Sequence, residues 1–309
     1  MESPLLALRD SWRIAMRAER KSAKTIYSYC LSVELYDRWC GDHGHPARVD
    51  RDGYRGYSAW LVDNGASANT LRTRQNALRR FAAWLYEEGE ADENTLTGTK
   101  LAQDDAPAVE PYSPAELEAI VSACKPPKGA TTATKNGRDA LLVARRDEAV
   151  IRMLTESMVR ADELGSMTIS GTDVARGVAL IVRGKGGKGR LVPFGPNAAR
   201  ALDRYLRVRR LHANAESDAL WLGRAGYGFG YQALWAMVKR RARMAGVANV
   251  HPHRFRNTGA TRWLDAGGSE GGLMAVAGWK RRDMIDRYVR ATASERAITE
   301  SRGLDLGDW

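Results

Sequence analysis

The sequence predicts a mainly α-helical protein in two domains, the second of which carries a small antiparallel β-sheet. Three observations lead there. Apolar residues recur at three- and four-residue spacing through most of residues 5–87, the period of amphipathic helices. That periodicity is lost across 98–112 (GTKLAQDDAPAVEPY), where Pro107 and Pro111 gather, as expected of an interdomain linker. Beyond it, strand-type runs flank the glycine-rich GKGGKG of residues 184–189, the pattern of a hairpin. The expected boundaries are a helical domain over 1–103, a linker over 104–112 and a second domain over 113–309, with a tail from about residue 291.

Taken in order, residues 5–21 (Leu5, Leu8, Trp12, Met16) and 22–43 (Ile26, Tyr29, Val33, Tyr36) are two helices, broken at Gly41–Pro46. A third runs from Arg51 to Asn64 with Tyr54, Tyr57, Trp60 and Leu61, and Gly65 ends it. The fourth, SANTLRTRQNALRRFAAWLYEEG, takes Asn69 as its N-cap and closes at Gly89. Its stripe of Leu71, Leu78, Phe81, Ala82 and Leu85 is expected to be buried. On a neighbouring face lie Arg72, Gln75, Asn76 and Arg79. Arg with Gln or Asn can hydrogen-bond base edges in a major groove; a solvated face is the competing reading.

The second domain opens with Ser113 as cap, Pro114 at the first helical position and Glu116 in the first turn. Residues 125–139 read as a polar loop, after which helix resumes through 145–158 and reaches Arg160, Glu163 and Leu164. Strands are expected at 166–169, 178–183 and 190–194, the last two forming a hairpin with Lys185 and Lys188 near its tip. The GxxxxGK[ST] phosphate loop is absent. An Arg-rich helix spans 196–211, and another spans 231–245 with the cluster Lys239, Arg240, Arg241 and Arg243. Such clusters supply phosphate contacts and affinity without sequence reading. Residues 251–288 then give two helices about a glycine-rich turn, from HPHRFRNTGATRWLDAGG to AGWKRRDMIDRYVR.

Composition narrows the partners. No run approaches the roughly 18 apolar residues of a membrane span, and the start lacks a signal-peptide core, so a cytoplasmic location is expected. Cys30, Cys40 and Cys124 are too few and scattered for a disulfide framework. Cys40, His43 and His45 match no familiar zinc spacing and read as a helix end and polar loop. The net charge of +11 points to a polyanion. It is lopsided: residues 1–103 hold 15 Lys+Arg against 14 Asp+Glu, residues 104–309 hold 33 against 23.

One ordered set of residues carries a resemblance. Arg160 with Glu163-Leu164, a glycine-flanked Lys185, His253 three before Arg256, and Trp279 nine before Tyr288 resemble the tyrosine recombinase (phage integrase) family. The likeness covers nearly the whole chain, with residues 113–290 similar to the catalytic domain and the helical first domain similar to the core-binding (SAM-like) domain. It implies a two-domain DNA clamp, a helical core-binding domain plus an integrase-type catalytic domain. It implies that Tyr288 is the nucleophile, forming a 3′-phosphotyrosyl bond, and that Lys185 is the general acid for the leaving 5′-oxygen. His253 would assist Tyr288 deprotonation or bond the phosphate, and Glu163 would buttress Arg160. Double-stranded DNA with short inverted-repeat core sites is the implied partner, bound by a homotetramer assembled from free monomers or dimers. Neither metal nor cofactor is expected, and no membrane.

The residue types suit that chemistry on their own terms. Attack on a phosphodiester builds negative charge on the non-bridging oxygens, which the forks of Arg160 and Arg256 can hold by bidentate bonds. Three departures stand out. Asn257 occupies the place of a common second His, Trp279 that of a common His, and Glu156-Ser157-Met158-Val159 replaces the usual Thr-Gly ahead of the first Arg. A Trp indole N–H still donates to a phosphate oxygen. The expected role is site-specific recombination through a Holliday junction, in a Xer-like resolvase or the integrase of a small mobile element. The alternatives are a type IB topoisomerase-like enzyme and a catalytically inert DNA-binding regulator. The tail, with Leu304, Leu306 and Trp309, docks on a neighbouring protomer or on its own domain.

Overall fold

A computed structural model describes residues 3–103, 110–183, 187–223, 229–282, 284–285, 298 and 301, with main chain alone at 183, 187 and 188. The chain divides into two compact units, Met1–Pro107 and Ala108–Trp309.

The first unit holds four helices: α1 (Pro4–Ala18), α2 (Ala23–Asp42), α3 (Arg51–Asp63) and α4 (Ala68–Glu87). Helix α1 opens with Pro4, whose missing N–H is no loss there, and the other three start at a side chain that accepts from an orphan N–H of the first turn. Ser22, Asp50 and Ser67 accept from the main chain of Thr25, Gly53 and Thr70. Ser67, not Asn69, therefore caps α4; Asn69 lies one residue inside the helix. The predicted stripe of α4 is buried, with Leu78 and Phe81 against Trp12, Val33, Tyr36 and Tyr57 in one core. Trp12 stacks on Tyr29 at 5.7 Å and tilts against Phe81 at 5.1 Å. Such aromatic pairs add about 0.5–1.5 kcal/mol each beyond the area they bury.

The chain after α4 has no helix or strand from 95 to 102, and side chains of α3 and α4 satisfy its backbone instead. Arg51 donates to Thr95 and Thr97 carbonyls, and Tyr54 Oη to that of Lys100. Gln75 Oε1 accepts from Ala102 N at 2.7 Å while Arg72 donates to Ala102 O at 2.8 Å. This corrects the base-reading assignment for Gln75, which is 8% exposed and whose Nε2 donates to Ser58. Asn76 likewise donates to Tyr29 Oη. Arg72 remains exposed, and Arg79 is half-buried.

The second unit contains α5 (Pro114–Ser122), α6 (Lys135–Glu156), α7 (Ala161–Gly165), β1 (Thr172–Asp173), β2 (Val178–Arg183), β3 (Gly187–Pro193), α8 (Pro196–Arg209), α9 (Tyr231–Met244), α10 (Pro252–Asp265) and α11 (Glu270–Ala277). Ser113 caps α5 as expected, and Glu116 completes a capping box by accepting from Ser113 N. Helix α6 begins within the stretch read as a loop. Thr134 caps it through Gly137 N, and a Cβ at Gly137 would lie 2.2 Å from Thr131 O. The glycine that suggests a loop is there to admit that close approach.

The sheet is antiparallel in the order β1-β2-β3, with Leu180 opposite Leu191 and Ile181 opposite Arg190. The strand expected at 166–169 is instead a single bridge from Thr168 to Ala219, and β1 follows it at 172–173. Its run is too short to pair as a ladder. Ala179 and Ile181 face the core, whereas Leu180 and Val182 are exposed. That core joins α6, α8 and the sheet through Ile151, Leu154, Val192, Leu202, Tyr205 and Trp221. A separate cluster of Met158, Ala260, Leu264, Leu273, Ala277, Trp279 and Ile285 holds α10, α11 and the segment beyond.

Candidate active site

Helix α10 is positioned by its first turn. His251 caps it, Nδ1 accepting from Arg254 N, and Pro252 sits where its missing N–H is no loss. The His251 ring lies nearly parallel to that of His253, 12° apart with centroids at 6.4 Å. Burial, then the nearby Arg254 charge, lowers the pKa of His251 and favours the neutral ring that the cap requires. Arg254 is structural. Its guanidinium lies 4.0 Å over Tyr112 and donates to Glu110 O, Pro111 O and the Glu116 carboxylate, fastening residues 110–112 to this unit.

One turn after His253, Arg256 turns inward and is 3% exposed. It donates to Met158 O and to Ala277 O, each at 2.5 Å, and lies 5.2 Å over the Trp279 ring. Helix α10 can approach this closely because residue 259 is glycine: a Cβ there would lie 2.5 Å from both Thr155 O and Met158 Cγ. Met158 lies in the Glu156–Val159 stretch where the resemblance leads one to expect Thr-Gly, and it takes a left-handed φ of 55°. The turn survives the substitution, with a side chain in a conformation that costs it roughly 1–2 kcal/mol.

Arg160 follows two residues later, its side chain 43% exposed. Glu163 holds it twice, accepting from Arg160 N at 2.9 Å and from Nη1 at 3.0 Å. The same carboxylate takes a bidentate fork from Arg190 on β3, at 2.8 and 2.7 Å. Burial by itself raises the Glu163 pKa; the Arg190 and Arg160 donors and their charges outweigh it and hold the group down to about 2. Arg190 also donates from Nε to Val276 O at 3.0 Å.

The structure thus brings together Arg160, Glu163, Arg256 and Trp279, with His253 exposed on the same helix as Arg256 and Asn257 buried beside it. Trp279 is 6% exposed and packs in the Met158 cluster. Lys185 and Tyr288 lie outside the described residues, as does the tail with Leu304, Leu306 and Trp309. Ile285, three residues ahead of Tyr288, is buried in the Met158 cluster. Arg190 was not legible as a site residue from sequence. An Arg at the start of the strand expected at 190–194 has no periodicity to betray an inward partner; its place five residues after Lys185 is the one available hint.

The basic cluster of α9 divides. Lys239 and Arg243 are exposed. Arg241 is 7% exposed and donates to Asp147 and Ala123 O, so it is a buried ion-pair partner rather than a DNA contact. Asp147, fully buried, also accepts from Arg146 and from the half-exposed Arg240. Cys40 lies in the last turn of α2 and His43 is its C-cap, with His45 in the loop beyond. Among the described residues no three His, Cys, Asp or Glu side chains gather as a ligand set, and no helix is long and apolar enough to cross a membrane.

Residues 114–295 match the phage integrase family, and residues 10–89 match the phage integrase N-terminal SAM-like domain. The chain is 32% identical to the tyrosine recombinase XerD of Ralstonia nicotianae, over 79% of this chain and 76% of that protein. It is 28% identical to the tyrosine recombinase XerC of Pseudomonas fluorescens, over 83% and 82%. In fold it resembles the Tn1549 transposon integrase in complex with transposon right end DNA, with a TM-score of 0.73 at 18% identity over 97% and 99% of the two chains. It also resembles the XerH site-specific recombinase bound to palindromic difH substrate, with a TM-score of 0.69 at 17% identity over 89% and 79%.

Proposed function

The chain belongs to the phage integrase family, and from that premise we propose that it is a site-specific DNA recombinase working through a 3′-phosphotyrosyl intermediate and a Holliday junction. One observation carries the reading. Arg256 is bonded to the carbonyl of Met158, two residues ahead of Arg160, so motifs nearly a hundred residues apart in sequence converge on one place. Two guanidiniums there suit the charge that builds on the scissile phosphate.

In this scheme Tyr288 Oη attacks phosphorus and the bond to the 5′-oxygen breaks. Lys185 gives that oxygen its proton, and His253 receives the tyrosine's proton or bonds the phosphate. Proton transfers of this kind contribute about 10²–10⁴-fold each. The energy of the broken ester is kept in the phosphotyrosine, so attack by a second 5′-hydroxyl rejoins the strand without ATP. Double-stranded DNA with short inverted repeats is the substrate, and four protomers act on two paired sites. Lys239 and Arg243, exposed on α9, contact phosphates.

Two-site exchange tests the assignment. A plasmid carrying two target sites yields recombinant circles if the reading holds. Relaxation of supercoils with no exchange sinks it in favour of a topoisomerase-like enzyme.

A further inference from the structure

We propose that Arg190 is a positioning residue for strand cleavage, fixing Arg160 through Glu163 and tying strand β3 to the segment that leads to Trp279. This rests on the reading of Arg160 as a holder of the scissile phosphate. The side chain makes three bonds to two elements. Its fork closes on both oxygens of Glu163 and its Nε reaches Val276 O at the end of α11. Arg190 and Glu163 are each 14% exposed, so the pair is shielded from the screening that makes surface ion pairs weak.

The geometry closes a ring. Val276 O takes Arg190 and its neighbour Ala277 O takes Arg256, placing two cations on the carbonyl end of α11, where the helix dipole favours them. Arg256 continues to Met158 O, Met158 precedes Arg160 by two residues, and Arg160 returns through Glu163 to Arg190. Every link is a hydrogen bond or the chain itself. Arg190 is the only member of the ring on the sheet, in the strand that follows the GKGGKG hairpin. It therefore joins strand β3 to the frame of Arg160.

A lysine at this position keeps the charge but not the fork. Its single ammonium cannot grip both carboxylate oxygens in plane and reach Val276 O as well. Loss of the fork leaves the Glu163 carboxylate held by Arg160 alone, and misplacement by about 1 Å costs on the order of 100-fold in rate.

The experiment measures single-turnover formation of the covalent adduct on saturating nicked suicide DNA, with affinity for the same DNA followed in parallel. Arg190→Gln and the charge-keeping Arg190→Lys are each expected to slow adduct formation about 10–100-fold while affinity changes less than about threefold. Because Arg190 acts through Glu163, the double variant Arg190→Gln/Glu163→Gln is expected to be no slower than the slower single variant. Adduct formation at the wild-type rate in Arg190→Lys overturns the inference. So do losses that multiply in the double variant, or a loss of rate matched by the loss of affinity in both single variants. A wild-type protein that forms no adduct overturns instead the recombinase reading, and this inference with it.

Discussion

Met158 shows how one residue can meet two opposed demands. Its main chain must turn left-handed, at φ 55°, to aim its carbonyl at Arg256. Its side chain must fill the cluster under Trp279, where it is 2% exposed. Glycine serves the first demand and methionine the second. Met158→Gly and Met158→Ala both empty the cluster, but only alanine keeps the penalty of a Cβ at positive φ. The glycine variant is therefore expected to be the more stable of the two by about 1 kcal/mol, reversing the usual rank, and chemical denaturation measures the order. Glu163 gives the second prediction at this scale. Its folded pKa is about 2, below the unfolded carboxyl value. The stability it contributes is thus fully present above about pH 4.5 and is lost as pH falls toward 2. The stability gap between wild type and Glu163→Gln should be flat from pH 5 upward and narrow below pH 4.5. A gap independent of pH down to 2.5 would contradict the ion-pair account.

At the scale of elements, α10 depends on a titrating cap. His251 accepts through Nδ1, so the ring must be neutral, and its pKa is lowered on folding. Here the unfolded chain binds the proton more readily, so this stabilisation is complete above the ordinary histidine pKa and is lost as pH drops through and below it. His251→Ser keeps a cap without a titration and is expected to flatten the pH dependence of stability between about 5 and 7. Helices α6 and α9 meet at Asp147, which accepts from Arg146, Arg240 and Arg241 while itself fully buried. Asp147→Asn strands buried cations and should cost about 3–5 kcal/mol. The helices were legible because period and caps are local properties. The roles of polar side chains were less so, because their partners are distant. Gln75 meets Ala102, Arg241 meets Asp147 and Arg190 meets Val276, and no spacing within one helix or strand announces such pairs. Two of those three read as DNA contacts from their own elements alone.

For the whole molecule, the net charge and the proposed chemistry fall in the same part of the chain, residues 104–309. Residues 104–309 hold 33 of the 48 Lys and Arg against 23 acidic residues. DNA affinity is accordingly expected to fall steeply with salt, each phosphate contact contributing about 0.9 to the slope of log K against log salt concentration. Lys239→Ala and Arg243→Ala should each reduce that slope by about one, whereas Arg241→Ala should lower stability instead, since that side chain is buried. The order of the site motifs along the chain was readable because each contains a residue type that phosphoryl chemistry needs. That Arg160 and Arg256 share one place was expected only from the resemblance, because its physical basis, the Arg256 bond to Met158 O and the close approach that Gly259 permits, is not local in sequence.

The most direct measurement is the covalent bond itself. Wild-type protein incubated with nicked suicide DNA should give an SDS-resistant complex whose digestion leaves phosphate on Tyr288, and Tyr288→Phe should give none. An adduct that persists in Tyr288→Phe, or its absence from wild-type protein bound to its site, would contradict the account.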